Sequence, residues 1–274
     1  MKSKIAEALK LPYAPVAILW NDEKPEGAQE FKPGKWGCVM WMLAAAAKGK
    51  TVVFSKDTYG CWGGGGGLGF GNQYLAFPGG IECFYYFLST GNEQWAKGKE
   101  VAKQIENFVT KDFLEDFLHG EGYLKSPELV KEFVESMPIT EVPSKYVVFK
   151  PLDEVEPKKE QPEIIVFLAT PDQLSALVIL ANYGREGTEH VTIPYAAACQ
   201  TIGIFAYKEA RSENPRAVVG LTDISARANL KKQVEKDLFS FAVPWKMFQE
   251  MEDNVKGSFL EGRTWRVLSG ENIR

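Results

Sequence analysis

Histidine is nearly missing from this chain, with two residues in 274. Two imidazoles cannot build a three-histidine catalytic zinc site, so a transition-metal site made by the protein would have to lean on sulfur. Cysteine is also scarce. The four residues Cys38, Cys61, Cys83 and Cys199 contain no C-x-x-C pair, which excludes zinc-ribbon and ferredoxin spacings. There is no basic excess: 32 Lys and Arg against 36 Asp and Glu give a net charge of -4. That leaves no electrostatic footprint for a phosphate backbone, and nucleic acid is not an expected partner. Long apolar runs are lacking as well. The longest, Val39 to Ala47, is about half what a membrane-spanning helix needs, so no membrane association is expected. A G-x-S-x-G nucleophile elbow and a P-loop Gly-Lys-Ser/Thr are both missing, which removes the common sequence signals for serine hydrolysis and P-loop nucleotide binding.

What is present fits a soluble globular protein, with 45% apolar and 25% charged residues. Near the N-terminus, Lys10, Pro12 and Pro15 interrupt what would have to be the apolar core of a signal peptide. A cytoplasmic location is therefore expected, where thiols stay reduced. Pro15 to Trp20 and Ile164 to Ala169 are continuous apolar runs, as expected of buried strands. Helices are expected over 36–48, from about 93 to 118, from Ser126-Pro127 to Pro138, over 171–183, about 228–238, and from Pro244-Trp245 to about 255. Further strands are expected at 51–55, 145–150, 191–193 and 217–221. The alternation gives an α/β or α+β class with mixed sheet and flanking helices.

The charged, proline-rich stretch 153–163 suggests a division into a half spanning 1–150, with the glycine-rich Cys loop, and a half spanning 151–274, packed together. The two halves share an order of strand, helix, Gly, strand and cysteine. TVVFSKDTYGC and EHVTIPYAAAC align on Cys61 and Cys199, so an internal pseudo-repeat is one expectation.

Five consecutive glycines, Gly63, Gly64, Gly65, Gly66 and Gly67, follow Cys61 and Trp62. They could cradle a cofactor phosphate, let the backbone pass close to a bulky group such as a metal cluster held by Cys61, or form a flexible surface loop. Cys38 opens an Ala-rich helix, whose N-terminus favours a thiolate. Cys83, within an apolar segment, also reads as a buried small hydrophobe. His119 closes a helix and His190 precedes a strand, and neither carries a local signature of a base for a cysteine nucleophile.

Taken together, Pro15-Val16-Ala17, Pro25-Glu26-Gly27, Cys38 at a helix head, Lys48-Gly49 before a strand, Cys61 with its glycines, Leu68-Gly69 and Cys199 resemble the domain-of-unknown-function 169 family of archaea and anaerobic bacteria. The resemblance spans roughly residues 8 to 260 and brings no settled activity. It implies cysteines at the positions of Cys38, Cys61 and Cys199, and oxygen-sensitive chemistry. The expected function is iron–sulfur binding, most simply of a 4Fe-4S cluster, with Cys38, Cys61 and Cys199 as ligands and Cys83 or an exogenous group as the fourth. The substrate or redox partner stays open, and a homo-oligomer is compatible. The alternative is a metal-free small-molecule site lined by Trp36, Trp41, Trp62, Phe70, Tyr74 and Phe77.

Overall fold

In the computed structural model, which describes residues 1–271, the two apolar runs become adjacent strands at the centre of one sheet. In chain order the elements are α1 (Lys4–Ala8), β1 (Val16–Asn21), α2 (Val39–Ala47), β2 (Val52–Phe54) and α3 (Trp62–Gly67), then α4 (Ile81–Leu88), α5 (Ala96–Ile105), α6 (Lys111–His119) and α7 (Pro127–Ser136). They continue with β3 (Tyr146–Pro151), β4 (Ile164–Ala169), α8 (Pro171–Asn182), β5 (Val191–Thr192), α9 (Ala198–Ile202), α10 (Ile204–Ala210) and β6 (Ala217–Gly220). The last are α11 (Ile224–Leu230), β7 (Phe239–Pro244), α12 (Trp245–Asp253) and α13 (Arg263–Leu268). The seven strands lie in the order β2-β3-β1-β4-β7-β6-β5, antiparallel except for β5 beside β6. This is a mixed α+β architecture.

Two compact units divide the chain. Gly71–Ile139 forms one; residues 1–70 with those from Thr140 onward form the other and carry the whole sheet. The expected division at 150/151 falls at the end of β3, inside the sheet to which both halves contribute strands. All six residues of β4 are buried, because both faces of the sheet are covered. Ile165, Phe167 and Ala169 pack with α8, α12 and residues of α1 and α13. On the opposite face α2 packs on β1, β2 and β3, and α10 packs on β4, β6 and β7.

That last parallel extends to the strand register. Val16 pairs with Pro151 at the end of β3, and Ile164 pairs with Pro244 at the end of β7. Leu152 N then donates to Pro15 O at 2.8 Å, and Trp245 N to Glu163 O at 3.0 Å. Counting back equally from the two prolines, Val52 lies opposite Phe149 as Val218 lies opposite Ala242. The sheet is therefore built twice, with β1, β2 and β3 matching β4, β6 and β7 about the antiparallel β1/β4 pair. The expected alignment of TVVFSKDTYGC with EHVTIPYAAAC is overturned: β5 runs parallel to β6 at the sheet edge, whereas β2 is antiparallel to β3, and the counterpart of β2 is β6.

Other expectations also need correction. Thr110 accepts from Phe113 N and starts a new helix, so the run expected over 93–118 is α5 and α6, with Phe108 86% exposed between them. The helix expected at 228–238 begins at 224, capped by Asp223, and is followed by the unforeseen strand β7. The five glycines form α3 rather than a flexible loop, and Gly64 to Gly67 are buried.

In the second unit, Phe77 stacks on Phe117 and packs against Phe84, Phe87 and Phe113. Asn92 is fully buried there, with Nδ2 donating to Cys83 O and Phe117 O at 3.0 Å each.

Helices α3 and α9 approach so closely that side chains are excluded between them. A Cβ on Gly203 would lie 1.9 Å from Gly67 O, and one on Gly67 would lie 2.9 Å from Gln200 N. Gly203→Ala should therefore lower stability by about 2 kcal/mol or more, because backbone must move. Gly184→Ala, which meets only the Asn254 side-chain amide, should cost less than about 1 kcal/mol. Urea unfolding checks both, and equal losses would contradict the close packing.

Candidate functional site

Three of the four cysteines open helices on the same side of the sheet as α2 and α10. Cys38 is the N-cap of α2, Cys61 the N-cap of α3, and Cys199 the second residue of α9. The glycine helix brings the last two together. Gly64 N donates to Cys61 Sγ and the Cys199 thiol donates to Gly63 O, each at 3.2 Å. Gly63 O and Gly64 N belong to one peptide unit, so two sulfurs bracket a single amide group. Glycine is required at position 64, where a Cβ would lie 2.7 Å from Val39 Cγ2 and 2.8 Å from Tyr59 O. The space freed by the missing side chains at Gly64 and Gly67 is thus filled by Val39, Tyr59 and α9.

The run does not form a phosphate cradle. Gly64 N turns to the Cys61 sulfur, Gly63 N also bonds it, and Gly65 N donates to Cys61 O at 2.8 Å.

Electrostatics join Cys38 to this pair. Burial pushes its thiol up to about 12, against the N–H groups of Met40 and Trp41, and the charge of Cys61 adds to the rise. Burial likewise raises Cys61, opposed by the Gly64 and Gly63 N–H groups. Cys199 is raised well above the ordinary thiol range by burial first, then by Cys61 and Cys38. A helix start therefore does not suffice to make Cys38 a thiolate, because desolvation outweighs it. Neither His119 nor His190 is among the largest influences on these three thiols. His190 Nε2 instead pairs with Glu186 O, and His119 with Glu93 and Glu115.

The charge that does act on all three is Asp223, a residue the sequence reading passed over. It caps α11 through Ala226 N at 2.7 Å, and its Oδ2 accepts from Ala198 N at 2.6 Å, next to Cys199. The available signal was the D-x-S order of a helix cap just beyond a strand.

Cys83 belongs to the second unit, is fully buried, and feels Lys97 and Glu82. Its main-chain carbonyl serves Asn92, and it reads as a core residue. Of the aromatic residues considered as a pocket lining, Phe70 is buried, and Tyr74 and Phe77 are core residues of the second unit. Trp62 stands at the first position of α3. Trp36 is 57% exposed and meets Trp41 edge-on at 5.3 Å. Trp41 Nε1 donates to Asn229 O at 3.0 Å, fastening α2 to α11.

Among the described residues, no three His, Cys, Asp or Glu side chains are gathered in a way that would hold a single metal ion. No helix among them is long and apolar enough to cross a membrane.

With their thiols held neutral, the three cysteines should alkylate slowly in metal-free protein at pH 8. Cys38 should react with iodoacetamide roughly a hundred-fold or more slowly than a free cysteine, recovering only as pH rises beyond the ordinary thiol range. Peptide mass mapping reads this, and labelling at the free-thiol rate would contradict it.

No curated protein and no solved structure matches the chain. A family model does, over residues 4–254. The protein therefore belongs to the family described as uncharacterised ArCR, domain of unknown function 169.

Proposed function

We propose that Cys38, Cys61 and Cys199 hold an iron–sulfur cluster beside the glycine helix. The observation that carries this reading is that the Cys61 and Cys199 thiols bond one Gly–Gly peptide unit, with Cys38 near enough to act on Cys199 electrostatically.

The donor set fits in charge as well. Ligation requires the three thiols to lose protons next to Asp223. A cationic iron centre would offset that negative charge. When bound, a cluster supplies one-electron redox chemistry and, with three cysteine ligands, an iron open to a further ligand. Cys38 and Cys61 keep partial exposure, which supports access from outside. The N–H groups of Gly63 and Gly64 would lower the basicity of the Cys61 sulfur and so tune the site.

A second reading, a metal-free site for an aromatic small molecule, draws support from the exposed Trp36 two residues before Cys38.

Anaerobic purification, or reconstitution with iron and sulfide, separates the two. Brown protein with absorbance near 400 nm and both iron and acid-labile sulfide is expected. Cys38→Ser, Cys61→Ser and Cys199→Ser should each lose most of the iron, while Cys83→Ser should keep it. Colourless, iron-free protein after both procedures would overturn the cluster reading, as would a Cys83→Ser loss equal to the others.

A further inference from the structure

The double construction of the sheet assigns a counterpart to each cysteine-bearing segment. Helix α2 leads into β2, and β2 leads into Cys61 at the N-cap of α3. In the second half α9 and α10, separated only by Gly203, lead into β6, and β6 leads into Asp223 at the N-cap of α11. The helices are exchanged in the same way: α3 packs on α9, and α11 packs on α2. Cys38 and Cys199 thus stand on matching helices, and the residue matching Cys61 is Asp223.

The carboxylate has room for another bond. Oδ1 accepts from Ala226 N at 2.7 Å and Ser225 Oγ at 3.1 Å, while Oδ2 accepts, among the described residues, from Ala198 N alone at 2.6 Å. An ionised carboxylate offers about four lone-pair directions. The remaining one belongs to Oδ2, the oxygen whose hydrogen-bond donor adjoins Cys199. Asp223 offers a carboxylate oxygen, a donor type that iron accepts. Its two helix caps hold it in place whether or not a metal is bound.

Resting on the cluster reading above, we propose that Asp223 is the fourth protein ligand, an oxygen donor completing a three-cysteine, one-carboxylate site across the two halves of the fold. An oxygen-ligated iron is harder and more readily exchanged than a thiolate-ligated one, so this corner would be where an external ligand enters.

The test compares Asp223→Asn, Asp223→Ala and Asp223→Cys with the wild type, all purified anaerobically and reconstituted with iron and sulfide. Iron and sulfide analysis and electron paramagnetic resonance are the readouts. Asparagine keeps only one of the two backbone bonds, since its NH2 cannot accept, so Asp223→Asn should fold with a modestly lowered melting temperature in the metal-free state, above that of Asp223→Ala. It should nevertheless fall from about four irons per cluster to about three, with a three-iron signal in the oxidised protein. Asp223→Ala should lose iron similarly and melt at lower temperature. Asp223→Cys should keep four irons with a changed spectrum.

If the wild type holds a cluster and Asp223→Asn retains its full iron content and spectrum, Asp223 is a helix cap only and this inference falls alone. If the wild type holds no iron or sulfide, the cluster reading falls and this inference with it.

Discussion

The structure depends on the approach of two backbones. Helix α3 lies against α9 so closely that Gly67 O occupies the place of a Cβ at position 203, and α9 occupies the place of one at position 67. Glycine costs a helix roughly 1 kcal/mol relative to alanine at each interior position, so a six-residue helix containing five glycines is intrinsically poor. Its order must come from burial and from this contact. The return is placement: the amide between Gly63 and Gly64 meets the sulfurs of Cys199 and Cys61.

The rest of the site follows from the sheet. Strands β1, β2 and β3 and strands β4, β6 and β7 repeat one pairing pattern with one register, fixed at matching prolines 151 and 244. Each half sets helices on the same face, and these cross between halves: α3 packs on α9 and α11 on α2, where Trp41 bonds the end of α11. Asp223 joins the starts of α11 and α9 within the second half. The segment 71–139 forms its own unit where the second half has only the short connection 231–238.

Much of this was legible in the residues, for identifiable reasons. Fully apolar runs such as Ile164 to Ala169 announce strands buried on both faces, and Thr170-Pro171 and Ser126-Pro127 announce helix starts. The nearness of Cys61 to Cys199 was legible because sulfur is rare here and Cys61 adjoins the glycines. The helical state of the glycine run was not, since propensity opposes it and only the tertiary contact with α9 reverses it. The repeat was misaligned because matching Cys61 to Cys199 follows residue type, whereas the sheet matches Cys61 to Asp223, a change of chemistry at a conserved place in the fold. Strand β7 was hidden because its six residues, Phe239–Pro244, end in a proline that reads as the start of the next helix.

The central claim is that three thiols meet on the glycine helix to hold iron and sulfide. Anomalous diffraction at the iron edge from crystals grown without oxygen tests it most directly. A peak within bonding distance of the Cys38, Cys61 and Cys199 sulfurs, against α3, is the predicted result. Crystals of iron-loaded protein with no peak there, or with the iron on other residues, would contradict it.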